Sequence, residues 1–261
     1  MNDISSILPH LAPAGMVLAR LSGLFIYAPV LSSALIPRLV KVFLLLSLTA
    51  AVYFSLIPTL EANGSFARDW TVWSVVPALG MELMMGLIVG FAAMLPMVGV
   101  QLAGHEIGQQ FGMAIAQEAD PNTNTNTGVV GIILFYLAFF TFVNLGGIRI
   151  MLAVMLDSFQ HIPIGGYRVQ GNIVDTLIGM LQTSYELALR VAAPIICILF
   201  LETLSLGFVS RTSPSFNVLS LGFPIRVLLG LTVLIGALTI MNEAITEEIV
   251  LMFEGLFHLL R

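Results

Sequence analysis

Charge is what this sequence has least of. Asp, Glu, Lys and Arg make up 10% of its 261 residues, against about 25% in a soluble domain. So few charges cannot coat a water-soluble body of this length, and much of the surface must face lipid or other apolar protein. Cysteine is nearly absent. The single Cys197 excludes an internal disulfide, and its neighbours Ile195, Ile196, Ile198 and Leu199 predict a small buried hydrophobe, not a reactive thiol. There is no basic stripe and the net charge is −5, so nothing points to nucleic acid. His10, His105, His161 and His258 show no metal-ligand spacing such as HxxxH or HExxH. GxSxG, Walker A and GxGxxG are missing, and no nucleophile has a visible base. The sequence therefore predicts no catalytic group, no metal and no cofactor. Residues 1–10 lack the positive region of a cleavable signal peptide, so the first apolar segment is predicted to be retained.

What is present is apolar residues in long runs. They make up 58% of the chain, and the mean hydropathy is +0.99. About 20 apolar residues in a helix cross a hydrocarbon core of about 30 Å. Six stretches approach that length: 14–35, 39–57, 72–103, 129–156, 187–209 and 227–241. They are too long for barrel strands and do not alternate. The fold class is therefore all-α, built of membrane-class helices, as one domain over 1–261 with no polar linker. Pro29, Pro37, Pro96 with Gly99, and Pro194 are predicted to kink or split the helices. Glu82, Gly86 and Gly90 share one helix face, where small residues let backbones approach.

Three segments differ from the runs. Residues 104–128 hold Asn122-Thr123-Asn124-Thr125-Asn126-Thr127 and read as an exposed loop. Residues 157–186, with Pro163, Gly165, Gly166 and Gly171, read as a loop and a weakly apolar helix. Residues 242–261 read as an amphipathic C-terminal helix: Ile245, Ile249, Met252, Leu256 and Leu260 on one face, Glu243, Glu247 and Glu254 on another. Lys and Arg give almost no topological bias. Arg38, Lys41, Arg211 and Arg226 oppose Arg68, Arg168, Arg190 and Arg261 in a six-span arrangement.

Charges inside apolar runs are costly in hydrocarbon and normally face protein or water. Arg20, Glu82, Arg149 and Glu202 are the candidates here. Their leading reading is polar contacts between subunits or along a helix; the competing one is a proton or ion path. Glu186 and Arg190 are spaced to pair along one helix. Phe111, Met113 and Ile115 follow glycines at 104, 108 and 112. Flexible apolar side chains on a glycine hinge make a deformable seal, while a short helix packed in the core is the commoner explanation.

These residues, taken in order, resemble the flagellar branch of the FliR/SctT export-gate family of type III secretion systems. The likeness runs through Leu18-Ala19-Arg20, Gly23, Ala28-Pro29 and Ile36-Pro37-Arg38. It continues through Glu82, Gly86 and Gly90, the stretch from Ala103-Gly104-His105-Glu106 to Gln110-Phe111-Gly112, and Asp120-Pro121. Asp157-Ser158-Phe159 with Pro163 and Gly165 follow, then Pro214, Phe216-Asn217-Val218 and Gly222-Phe223-Pro224-Ile225-Arg226. Gln117 and Glu118 stand where the family often has apolar residues, Ser215 where it often has Gln, and Arg226 where it often has Lys.

The resemblance implies a non-enzymatic structural and gating subunit that assembles with FliP and FliQ and works beside FlhA-like and FlhB-like components. Unfolded flagellar proteins would pass through the assembly. It implies tilted, kinked helical hairpins in a hetero-oligomer of the bacterial inner membrane, in contact with lipid and raised toward the periplasm within the basal body. It makes Phe111, Met113 and Ile115 a pore plug and Gly104, Gly108 and Gly112 its hinge. The virulence-type homologue shares the pattern. An independent secondary transporter is the alternative from another class, but no internal repeat supports it. A membrane-embedded hydrolase lacks its constellation.

Overall fold

A computed structural model describes residues 2–33, 36–62, 72–111, 128–166, 171–212 and 218–259. The described residues are helical apart from turns, and contain no strand. The helices are α1 (Asn2–Tyr27), α2 (Arg38–Ala62), α3 (Val72–Gln110), α4 (Val129–Asn144), α5 (Gly147–His161), α6 (Gly171–Thr212) and α7 (Val218–Leu259). Five are long and apolar enough to cross a membrane: α1, α2, α3, α6 and α7. The pair α4 and α5 makes a sixth if counted together.

The sequence placed the breaks only partly. Pro29 and Pro37 bracket a real one, because α1 stops at Tyr27 and α2 starts at Arg38. Pro96 and Gly99 do not interrupt α3, which runs for 39 residues. Pro194 and Pro224 likewise lie inside helices of 42 residues each. Proline costs a helix one hydrogen bond, and packing along the rest of these long helices outweighs it. The run 129–156 does break, at Leu145–Gly146. Gly146 takes φ 74° between α4 and α5, a left-handed conformation that glycine adopts without a Cβ clash. The weakly apolar stretch of 157–186 enters α6 directly, and 242–259 is the end of α7 instead of a separate helix. Along it Ile245, Ile249, Met252 and Leu256 are buried and Glu243, Glu247 and Glu254 exposed, while Leu260 lies outside the described residues.

At a rise of 1.5 Å per residue, α3, α6 and α7 are each about 60 Å long, roughly twice the depth of a hydrocarbon core. Their hydroxyls are satisfied locally. Thr203 donates to the Leu199 carbonyl at 2.9 Å and Thr232 to the Leu228 carbonyl at 2.8 Å. That pattern hides a polar group on an apolar helix.

The described residues group into two compact units, each made of separate stretches of chain. One comprises Met1–Met94, Gly146–Met180 and Met252–Arg261. At its centre α1 lies against the first half of α3, with both chains running the same way. A methyl on Gly23 would sit 2.7 Å from the Leu87 nitrogen, and one on Gly90 would sit 3.0 Å from the Leu24 carbonyl oxygen. A methyl on Gly86 would meet the Leu24 nitrogen at 2.9 Å and the Arg20 carbonyl oxygen closer still. The Glu82-Gly86-Gly90 face is therefore a backbone-to-backbone contact. In the turn after α1, Val30 has φ 70°. Its neighbours Ala28 and Leu31 are buried, and Lys41 donates to the Ser32 carbonyl at 2.9 Å. His10 Nδ1 and the Tyr53 hydroxyl, 2.7 Å apart, join α1 to α2.

The other unit comprises Leu95–Leu145 and Leu181–Leu251. Here the second half of α3 uses Gly99 against the Ser184 backbone of α6, and Gly104 against Gly131 of α4. Helices α6 and α7 run antiparallel, since Arg190 meets Glu247 and Glu202 meets Arg226. Thr141 of α4 and Asn242 of α7 lie 3.0 Å apart. Cys197 is exposed on α6, contrary to the buried role its apolar neighbours predicted. Those neighbours occupy a helix, where adjacent residues point in different directions.

Candidate functional site

Arg20 and Glu82 are both fully buried, and they meet across α1 and α3. They do not pair along one helix, nor do they wait for another subunit. Arg20 Nε donates to Glu82 Oε2, Nη1 to the Ser158 hydroxyl at 3.0 Å, and Nη2 to the Ile162 carbonyl at 3.3 Å. Its guanidinium lies 4.2 Å from the centre of the Phe159 ring, an added attraction between cation and π face. Glu82 Oε1 accepts from the Gly165 amide at 2.9 Å. Gly165 has φ 71° in a turn closed by Gly166 N donating to the Pro163 carbonyl at 2.9 Å. Every nitrogen and oxygen of the pair therefore has a partner, the condition for a buried ion pair to be tolerated. The glycines make it possible: without close approach at Gly23 and Gly86, Arg20 could not reach Glu82. Ser158, the Ile162 carbonyl and the Gly165 amide escaped the sequence reasoning. The ordered Asp157-Ser158-Phe159, Pro163 and Gly165 was the one signal for them.

The second pair is less complete. Arg226 Nε donates to Glu202 Oε2 at 3.1 Å, and Nη2 donates to the Thr203 hydroxyl at 2.7 Å. The Arg226 side chain is 29% exposed and that of Glu202 5%, and Glu202 Oε1 is buried with no hydrogen-bond partner among the described residues. Arg149 is exposed in the first turn of α5. Arg190 pairs with Glu247, not Glu186, and Glu186 instead accepts from Gln182 at 3.0 Å. Arg20 with Glu82, and Glu202 with Arg226, are thus each paired within their own unit. Among the described residues, no three His, Cys, Asp or Glu side chains come together as a metal site.

The residues expected to form a plug and hinge fall at the end of α3. Gly104 is not placed as a hinge. It lies inside a continuous helix, where a methyl would sit 2.8 Å from the Gly131 nitrogen. Gly108 is also inside α3, and nothing lies within 4 Å of where its side chain would begin. Phe111 is fully buried, and its amide donates to the Ile107 carbonyl at 3.1 Å, one residue beyond the helix end. Its ring lies against Gly230 of α7. Gly112, Met113 and Ile115 lie outside the described residues. His105 and Gln109, one turn apart on α3, hydrogen-bond at 2.8 Å.

Against this geometry stand the comparisons with known proteins. The family described as bacterial export proteins, family 1, matches residues 11–252. The chain is 29% identical over 244 residues to the flagellar biosynthetic protein FliR of Escherichia coli (strain K12), covering 93% of this chain and 89% of that protein. It is 25% identical over 268 residues to the FliR of Bacillus subtilis (strain 168), covering 100% and 98%. It is 26% identical over 235 residues to the Yop proteins translocation protein T of Yersinia pestis, covering 88% and 87%. The match reaches each of the described helices, the glycine contacts and both Arg–Glu pairs, and the chain belongs to the bacterial export proteins, family 1, the FliR/SctT family.

Proposed function

We propose that this chain is a non-enzymatic structural and gating subunit of a flagellar type III export channel, assembling with FliP and FliQ homologues. The observation that carries this reading is unpacked apolar surface. In an apolar 18-residue segment of α2 only 17% is buried within the chain, and in one of α7 only 11%. Lipid covers such surface over about 30 Å of depth. Helices twice that length carry apolar residues beyond it, and there only protein can cover them. This supports a hetero-oligomer raised toward the periplasm from the bacterial inner membrane, beside FlhA-like and FlhB-like components. Exposed Arg149 is assigned to a contact with a neighbouring subunit. The unfolded cargo is flagellar, following the names of the relatives.

The plug remains part of this reading. Phe111, Met113 and Ile115 close the resting pore, because apolar side chains dewet a narrow constriction. Gly108 and Gly112 are retained as the hinge, and Gly104 is reassigned to packing. The test is purification in detergent, alone and co-expressed with FliP and FliQ homologues from the same genome, followed by native mass spectrometry. The expected result is a defined heteromer, with the lone chain poorly behaved. A stable solitary chain that ignores those partners would overturn the proposal in favour of an independent transporter.

A further inference from the structure

From residue 222 to residue 240, α7 is nearly bare. Only Gly222, Gly230 and Leu234 are buried along it. At Gly230 the nearest neighbour is one ring. A methyl built there would sit 2.7 Å from Phe111 Cζ and nearer to Cε1, so the ring occupies the space a side chain would take. Phe111 is the residue at which the described part of α3 ends, and none of its surface is exposed. On the same face of α3, Gly104 packs backbone to backbone on α4. The end of α3 is thus fixed to α4 by a permanent, glycine-to-glycine contact. It meets the bare stretch of α7 with the Phe111 ring seated at Gly230.

We infer that Phe111 and Gly230 form a latch, and that Gly230 is the positioning residue that holds the gate shut. The inference rests on the gating role proposed above and adds the place where closure is decided. A packed contact of this kind is bistable rather than gradually deformable. Phe111 sits in the notch or out of it, and opening requires it to leave. Few other buried groups on this stretch of α7 oppose that step, so the ring and the missing side chain weigh heavily in it. Apolar burial of one Phe is small enough for a local transition and large enough to keep the rest state closed.

The test uses the complex with FliP and FliQ homologues, reconstituted in vesicles containing phosphatidylglycerol, with proton leak read by an internal pH dye. Four variants are compared at equal complex yield by native mass spectrometry: Gly230→Ala, Gly236→Ala, Phe111→Leu, and Gly230→Ala combined with Phe111→Leu. Gly236 is on the same helix with nothing within 4 Å of its side-chain position, so it controls for the change in helix propensity. Gly230→Ala should raise the leak about tenfold, the shift that overpacking at the low end of its usual range produces. Gly236→Ala should leave it unchanged. The double variant should return toward wild type, because the shorter Leu makes room for the methyl.

If Met113→Ala with Ile115→Ala leaks and Gly230→Ala does not, the latch is wrong and the plug stands. No leak from any of these variants, plug residues included, would remove the gating role and the latch with it. Should Gly230→Ala fail to assemble, Phe111→Leu alone carries the test: a loose ring should leak a few-fold, and a tight vesicle would overturn the latch.

Discussion

The α1–α3 contact and the α6–α7 hairpin each hold an Arg–Glu pair on apolar helices, and they treat it differently. In the first, Arg20 and Glu82 are fully buried, and the donors and acceptors around them are matched by Ser158, Ile162 and Gly165. In the second, Arg226 is part-exposed and Glu202 keeps a buried oxygen without a partner among the described residues. The glycines differ in the same way. Gly23 and Gly86 bring two backbones together, while on the bare stretch of α7 Gly230 admits one side chain. The first contact is complete inside one chain. The second has spare hydrogen-bonding capacity on an apolar surface, as expected where another chain completes the structure.

The largest effect should come from unmatching the complete pair. Glu82→Ala leaves Arg20 buried without a counter-ion and takes the acceptor from the Gly165 amide. The expected cost is about 3–5 kcal/mol, read as loss of monodisperse protein or a fall in the thermal midpoint in detergent. If Glu202→Ala destabilises as much, the contrast between the two regions is broken. Next comes Gly86→Ala. The atoms it meets are backbone atoms of α1, which no rotamer change can move, so the cost lies at or above the upper end of about 1–3 kcal/mol. Gly80 has nothing within 4 Å; Gly80→Ala should be neutral or slightly stabilising, and equal behaviour of the two variants would remove the glycine contact as an explanation. Smaller again is Glu202→Gln, which keeps an acceptor for Arg226 and loses only charge on a pair already short of partners. About 1 kcal/mol is expected.

Composition and run length made the helices legible, because membrane-class segments announce themselves by length alone. Their ends were less so. Pro96, expected to kink or split its helix, does not split it, since a proline penalty of about 3 kcal/mol is outweighed by packing spread over 39 residues. The break at Gly146 was missed inside an apolar run, since φ 74° at one glycine leaves hydropathy unchanged. Arg20 and Glu82 were each legible as charges needing a partner. That they are each other's partner depends on the register of α1 against α3, which Gly23 and Gly86 fix in space and which sequence spacing does not encode. Ser158 was less visible still, because a lone serine 138 positions from Arg20 in sequence gives no signal of its own. Phe111 was singled out for a seal, and its notch at Gly230 lay on a helix that no local pattern connects to it.

The smallest expected effect sharpens the comparison most, because its size depends on what surrounds the hairpin. Arg190 and Glu247 lie 2.9 Å apart with side chains 61% and 63% exposed. If water bathes them, Arg190→Ala should cost about 0–0.5 kcal/mol, and added salt should erase even that. Lipid cannot be their solvent, since an exposed ion pair in hydrocarbon is too costly to persist. The remaining environment is a neighbouring chain that desolvates the pair. Measured on the lone chain in detergent, the variant should therefore be silent. Measured on the complex with FliP and FliQ homologues, a loss that resists salt would place this part of α6 and α7 in an interface. Silence in both would place it in water, and the incomplete surface of the hairpin would then be confined to Glu202 and Arg226.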